Sequence, residues 1–271
     1  MEQQIAFIGG GNMASAIAGG LVRNGRTPRS ILVIDPGDAA RERMAATFGV
    51  QTAPDVAGAG LEGTSLVVWA VKPQSFKEAA EACHGRTGTA LHLSVMAGIP
   101  SEAIAKASGA RRVVRAMPNT PALIGQGITG LYARPEVEPA DRELIEAVLS
   151  PTGSVSWVER EPLLDAVTAL SGSGPAYVFY FIEAMIQAGT EMGLSSDQAR
   201  QLAIATFGGA SQLAAQASED VAVLRERVTS RGGTTYAALT SLESSHVKAS
   251  FVKALHAACE RARELGEEFG R

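Results

Sequence analysis

Ile5-Ala6-Phe7-Ile8-Gly9-Gly10-Gly11-Asn12-Met13-Ala14 is the stretch that decides the fold. Its first four residues form a continuous apolar run, the pattern of a strand buried on both faces. From Asn12 to Val22 apolar residues recur at helical spacing, so the three glycines join a strand to a helix. In that context the G-x-G-x-x-A spacing acquires a meaning that a Gly-rich turn elsewhere lacks. Gly9 permits the tight turn, Gly11 lets a pyrophosphate approach the backbone, and Ala14 keeps the helix close to the sheet. The helix start adds unpaired N–H groups and the positive end of its dipole. Gly10, Asn12 and Met13 complete the same turn, and all of Gly9–Met13 is expected to hold a dinucleotide.

Working outward, short β-branched runs alternate with helical stretches. Ile31 to Ile34, Leu66 to Val71, Leu91 to Val95 and Arg112 to Arg115 read as strands, with helices over 39–48 and 101–107. This alternation indicates a doubly wound, mainly parallel α/β sheet of Rossmann type. After a last strand at Val155 to Val158 the pattern changes to Ala-rich helices. These cover 165–170, a stretch opened by Gly174-Pro175 and closed by Gly193, 196–217, 221–228, 236–242 and 246–265. Ser195 and Gln198 have the spacing of a capping box. The expected division is a dinucleotide-binding domain over 1–160 and an all-α domain over 161–271.

Composition narrows the function classes. The chain has 271 residues, 46% hydrophobic and 19% charged, too apolar for disorder. No apolar run approaches the roughly 18–20 residues of a membrane span, and Met1-Glu2-Gln3-Gln4 lacks the basic start of a signal peptide. A net charge of −4 without a basic stripe argues against nucleic acid. Cys83 and Cys259 stand alone, with no metal-ligand spacing, so the expectation is a cytoplasmic protein without a bound metal. Glycine is the excess: 29 of 271 residues, against a usual ~7%. Such a surplus marks places where backbone comes close to a ligand or a neighbouring helix.

Asp35 ends the second strand, where a carboxylate can accept from an adenosine ribose 2′-hydroxyl and repel a 2′-phosphate. Arg41 and Arg43 lie just downstream and would favour the phosphate, so these residues leave the choice open. Ala70, Val71, Lys72 and Pro73 follow the third long strand at the carboxyl edge of the sheet, where ligands collect in doubly wound folds. Two further segments stand out. One is a stiff polar loop, Arg115-Ala116-Met117-Pro118-Asn119-Thr120-Pro121. The other is Gly232-Gly233-Thr234-Thr235, whose backbone N–H groups could hold a carboxylate, or which could simply cap a helix.

Taken together these segments resemble pyrroline-5-carboxylate reductases over nearly the whole chain. The match runs through Phe7 to Ala14, Val71-Lys72-Pro73-Gln74, Arg115 to Leu123, Leu170-Ser171-Gly172-Ser173-Gly174-Pro175-Ala176-Tyr177, and Thr229 to Thr235. The resemblance implies a Rossmann domain followed by a helical domain that builds a homodimer. It also implies reduction of 1-pyrroline-5-carboxylate to L-proline with NADPH, NADH being an alternative donor that Asp35 suits. It assigns Gly233, Thr234 and Thr235 to the substrate, with Thr235 bonding the ring nitrogen. Gly232 belongs to the same substrate loop, while Asn119, Thr120 and Pro121 shape the nicotinamide pocket and contribute to the substrate site. Arg231 departs from the family, which usually has Pro there.

A cyclic imine accepts hydride directly, so no His/Asp or Cys/His constellation is required. Ser171 to Pro175 is not a nucleophile elbow, since Gly-x-Ser-x-Gly is broken at Ser171 and no strand leads into it. Tyr177, Phe181 and Met185 read as core or dimer contacts. A β-hydroxyacid dehydrogenase needs a lysine on the interdomain helix, and this chain has none between Lys106 and Lys248. A nucleotide-sensing regulator would need an output module such as a basic helix, and none is visible.

Overall fold

The computed structural model describes residues 3–270. Its strands are β1 (Gln4–Ile8), β2 (Ile31–Ile34), β3 (Gln51–Ala53), β4 (Thr64–Trp69), β5 (Leu91–Ser94), β6 (Val113–Met117), β7 (Gly127–Ala133) and β8 (Gly153–Trp157). They form one sheet in the order β3-β2-β1-β4-β5-β6-β7-β8, parallel throughout except for β6 against β7. The chain order runs outward in opposite directions on either side of the β1–β4 pair. That is the topological switch point, and the glycine turn leaves β1 there.

The alternation of β1 explains the two-sided burial. Ile5 and Phe7 enter one core with Ile17, Met44 and Ile145. Ala6 and Ile8 enter the opposite core with Trp69, Ile99 and Ile104. Burying each large side chain contributes about 1.5–3 kcal/mol. Helices α1 (Asn12–Arg23), α2 (Asp38–Phe48) and α5 (Pro139–Leu149) supply the first core, and α3 (Phe76–Cys83) and α4 (Ser101–Ser108) the second.

Several boundaries differ from the sequence reading. The expected strand 66–71 ends at Trp69, because Ala70 and Val71 turn over Gly9, leaving Ala70 N–H on the Ile8 carbonyl at 2.8 Å. The sequence reading contains none of β3, α3, β7 and α5. The expected helix 165–170 is α6 (Leu163–Val167) running on into a π-helical turn over Thr168–Gly172. Its tight seat depends on missing side chains: a Cβ on Gly130 would lie 2.6 Å from Val167 Cγ1, and one on Gly172 would lie 2.6 Å from Met117 Cε. A Cβ on Gly174 would meet nothing within 4 Å in this chain.

Packing gathers the residues up to Ser173 with those from Ala258 onward into one compact unit, and Gly174–Ala257 into another. In the first, Leu265 lies against Gly98. The second is helical: α7 (Gly174–Glu191), α8 (Ser196–Gln216), α9 (Val221–Arg227), α10 (Thr234–Ser244) and the start of α11 (Val247–Phe269). Ser195 and Gln198 form the capping box that their spacing suggested. Gly189 lets α7 approach Ala199 of α8, and Phe251 takes Tyr177 and Phe181 edge-on at 5.7 and 5.5 Å. Elsewhere on this unit large apolar side chains face outward: Phe179 is 59% exposed, Tyr180 68%, Leu213 60% and Met192 78%. No helix among the described residues is long and apolar enough to cross a membrane.

One buried polar chain crosses the second core. Trp69 Nε1–H donates to His92 Nδ1 at 3.0 Å, and His92 Nε2 meets Thr87 Oγ1 at 3.2 Å. Burial pushes the His92 imidazole down to a pKa of about 4 from 6.5. The folded state therefore resists a proton that the unfolded chain accepts, so stability is complete above pH 6.5 and falls as pH drops towards 4. The His92 share of that loss is about 3 kcal/mol. Urea melts from pH 7 to 4 should show this decline, and His92→Gln should flatten it while lowering stability at pH 7.

Candidate active site

The glycine turn is held from both sides. Gly9 has φ +102°, and a Cβ there would sit 2.6 Å from the Ala70 carbonyl oxygen and 2.9 Å from Val71 N. Gly11 is small for another reason, since a Cβ on it would meet only Ala70 O, at 4.0 Å. Its side of the turn is open. Gly11 is also the N-cap of α1, with no capping side chain and no acidic residue in the first turn. The N–H groups of Asn12, Met13 and Ala14 thus begin a helix without an intrahelical acceptor, as an anion site requires. Asn12 is exposed and Met13 half-buried.

Asp35 is fixed by the same turn. Its Oδ2 accepts from Gly10 N–H at 2.7 Å and its Oδ1 from Gly37 N–H at 2.8 Å. Arg41 Nη1 donates to the Asp35 carbonyl at 2.7 Å while its Nη2 pairs with Asp38. Arg43 Nη2 donates to the Gly10 carbonyl at 2.8 Å. A cleft of about 430 Å³ opens here, lined by Gly9, Gly11, Asp35, Ala70, Val71 and Lys72 among others. The structure therefore brings these cofactor candidates to one place. Pro73 sits beside them, opening a short 3-10 turn at Pro73–Ser75.

The polar loop after β6 is organised by its own side chain. Asn119 is buried, and its Oδ1 accepts Ile128 N–H at 3.1 Å, tying the loop to the start of β7. Thr120 is exposed and Pro121 half-buried in a 3-10 turn over Thr120–Ile124. Met117, at the loop's head, is the residue that lies over Gly172. Sequence reasoning missed the anchor of this strand. Glu161 accepts from Ser101 N–H and Oγ–H, both at 2.6 Å, and from Arg115 Nη1 at 2.9 Å. Burial pushes the Glu161 carboxyl up, but the Ser101 bonds and the Arg115 guanidinium outweigh it and hold the group below its usual value. No local pattern links residues 60 positions apart.

In the helical unit, Thr234 and Thr235 are the first two residues of α10 rather than part of the preceding loop. Gly232 takes φ +78°, and Gly233 N–H turns inward to the Ser230 carbonyl at 3.0 Å. The nest read from two successive glycines is thus displaced by one residue. The N–H groups left without an intrahelical acceptor are those of Thr234, Thr235 and Tyr236. Gly233 supplies no capping side chain, the first turn carries no acid, and Thr234, Thr235 and Arg231 are exposed.

Two family models match the chain. Residues 161–265 match pyrroline-5-carboxylate reductase dimerisation, and residues 4–98 match NADP oxidoreductase, coenzyme F420-dependent. A pyrroline-5-carboxylate reductase of Pseudomonas aeruginosa is 42% identical over 270 residues, 99% of this chain and 98% of its own. The chain belongs to the pyrroline-5-carboxylate reductase family. Solved structures agree: the family member from Coxiella burnetii superposes with TM-score 0.90 at 38% identity, covering 97% of this chain and 98% of its own. A Plasmodium falciparum pyrroline carboxylate reductase with NADP bound gives 0.87 at 26% identity, covering 98% of each chain.

If the turn holds the nucleotide, Gly9→Ala should both strain the backbone and push it off Ala70. Fluorescence titration of the variant should show at least tenfold weaker NAD(P)H binding, with a melting temperature several degrees lower.

Proposed function

We propose that this chain reduces 1-pyrroline-5-carboxylate to L-proline, the last step of proline biosynthesis, with NADPH or NADH as reductant. Family membership over the full length supports the reaction, and the uncapped start of α10 supports the placement of the substrate. Residues 1–160 serve the nucleotide, and 161–271 serve substrate binding and dimerisation. Gly9–Met13, Asp35, Ala70, Val71, Lys72 and Pro73 hold the nucleotide. The open side of Gly11 and the free N–H groups of α1 fit its phosphates.

The bound nicotinamide supplies the hydride. The protein's residues position and polarise the imine. The Gly232–Thr235 segment receives the carboxylate on the N–H groups of Thr234 and Thr235, at the positive end of α10. The Thr235 hydroxyl accepts the ring N–H of the protonated imine and keeps that bond as the nitrogen becomes an amine. Asn119, Thr120 and Pro121 shape the nicotinamide side of the site, the first through its fixed bond to Ile128. No side chain has to deliver a proton to carbon. Thr235→Ala should lower kcat by about 10²-fold while leaving NADPH affinity unchanged; unaltered turnover would remove Thr235 from the mechanism.

The outward-facing Phe179, Tyr180, Met192 and Leu213 fit a face covered by a second copy, making a homodimer the basic unit of this cytoplasmic enzyme. Sedimentation velocity at micromolar concentration should return a species of at least two chains, and Leu213→Glu should shift it towards one.

A further inference from the structure

We propose that the cavity at the amino end of the sheet is a second ligand site, built to receive the carboxylate of a small metabolite on Arg86 and on the Thr87 hydroxyl. The cavity, about 690 Å³, is formed by the segments that lead into β1, β4, β5 and β6, with Asp141 and Leu144 of α5 on its wall. It lies at the opposite end of the strands from the glycine turn, so the proposal is independent of the nucleotide reading.

The direction of one proton carries it. Trp69 Nε1–H can only donate, so the His92 Nδ1 that receives it at 3.0 Å bears no hydrogen. The hydrogen of the neutral ring therefore sits on Nε2, which donates to Thr87 Oγ1 at 3.2 Å. Thr87 accepts that bond, and its own O–H is left with no acceptor among the described residues. The side chain is buried, at 5% exposure, and lines the cavity. Thr64 and Ser65 line it too, but their hydroxyls donate to Gln4, at 2.7 and 3.1 Å. A buried donor left unpaired is costly, and a ligand oxygen in the cavity satisfies it.

The ionic groups on the wall set the ligand's charge. Arg86 lines the cavity and pairs with no carboxylate among the described residues. The second guanidinium is already satisfied, Arg112 bonding Asp141 at 2.6 Å and the Thr89 carbonyl at 2.5 Å. Asp141 also accepts Glu138 N–H at 3.0 Å, which ties its charge to the start of α5. The backbone N–H groups of Thr87, Gly88 and Thr89 have no acceptor among the described residues. One free cation beside several open donors selects an anion.

Glu62, exposed on the same wall, carries the remaining unpaired charge. That acid opposes a dianion such as phosphate, and a monoanionic carboxylate fits better. The same Glu62 can receive an ammonium group where the ligand is an amino acid.

His92 gives the site a local reporter, because its Nε2 shares a hydrogen bond with Thr87. In the full chain with isotope-labelled histidine, sodium propionate and L-alanine should each shift the His92 Nε2 resonance saturably, with a Kd on the order of 1–10 mM. Arg86→Gln removes an exposed charge and should raise that Kd at least about tenfold, with the melting temperature unchanged. Thr87→Ser keeps the hydroxyl and should bind as the wild type does, whereas Thr87→Val should not bind. Tighter binding of L-alanine than of propionate assigns the ligand to amino acids, with Glu62 on the ammonium, and the reverse assigns it to simple acids. No saturable shift with either compound up to about 100 mM overturns the proposal, as does an unchanged Kd in Arg86→Gln. Inorganic phosphate binding more tightly than both overturns the choice of a carboxylate. The Arg86→Gln comparison decides even where Thr87→Val fails to fold.

Discussion

The backbone of Gly9 against the Ala70 carbonyl is the contact on which the nucleotide end of the molecule depends. Strands β1 and β4 run side by side, and the chain leaves β1 through a gap that admits no side chain. That approach sets the direction of α1, and with it the aim of the free N–H groups at its start. It also brings Gly10 within hydrogen-bonding distance of Asp35, so a strand-end acid becomes part of the glycine turn. Widening the gap by one methyl group would disturb the turn, the helix start and the acid together.

A second kind of constraint lies in two helix termini that lack capping side chains. Ser195 shows what a closed start looks like in this chain, with a reciprocal pair of bonds to Gln198. The starts of α1 and α10 have no such closure. With glycine at the N-cap the loss to each helix is only about a few tenths of a kcal/mol, and the first-turn N–H groups stay open to an anion. Both are preceded by glycine, which cannot cap them with a side chain, and neither has an acid in its first turn to compete with an anionic ligand.

Much of this was legible in the sequence where pattern and chemistry are local. The apolar run before Gly9, the periodicity of α1 and the Ser195–Gln198 pair each depend on a few neighbouring residues. What escaped is long-range. Strand β7 carries glycines at 127 and 130 that read as breakers, yet Gly130 is small because Val167 packs on it. The three-residue β3 is too short to show a period, and α5 opens on Pro139 at its first turn. Glu161 reads as an acid at a domain edge, whereas it caps α4 from 60 residues away and pairs with Arg115. The threonines after Gly233 lie in a helix because the turn closes one residue earlier than the glycine pair suggests.

The return of the chain from Ala258 onward into the unit that begins the molecule has a consequence for synthesis. Leu265 fits against Gly98, and the Gly270 backbone lies beside the Pro100 ring. The unit that carries the sheet is therefore interrupted rather than sequential, its residues up to Ser173 joined by a segment made after the helical insertion. A ribosome must translate the whole helical insertion before that unit can close, which couples the maturation of one half to the completion of the other.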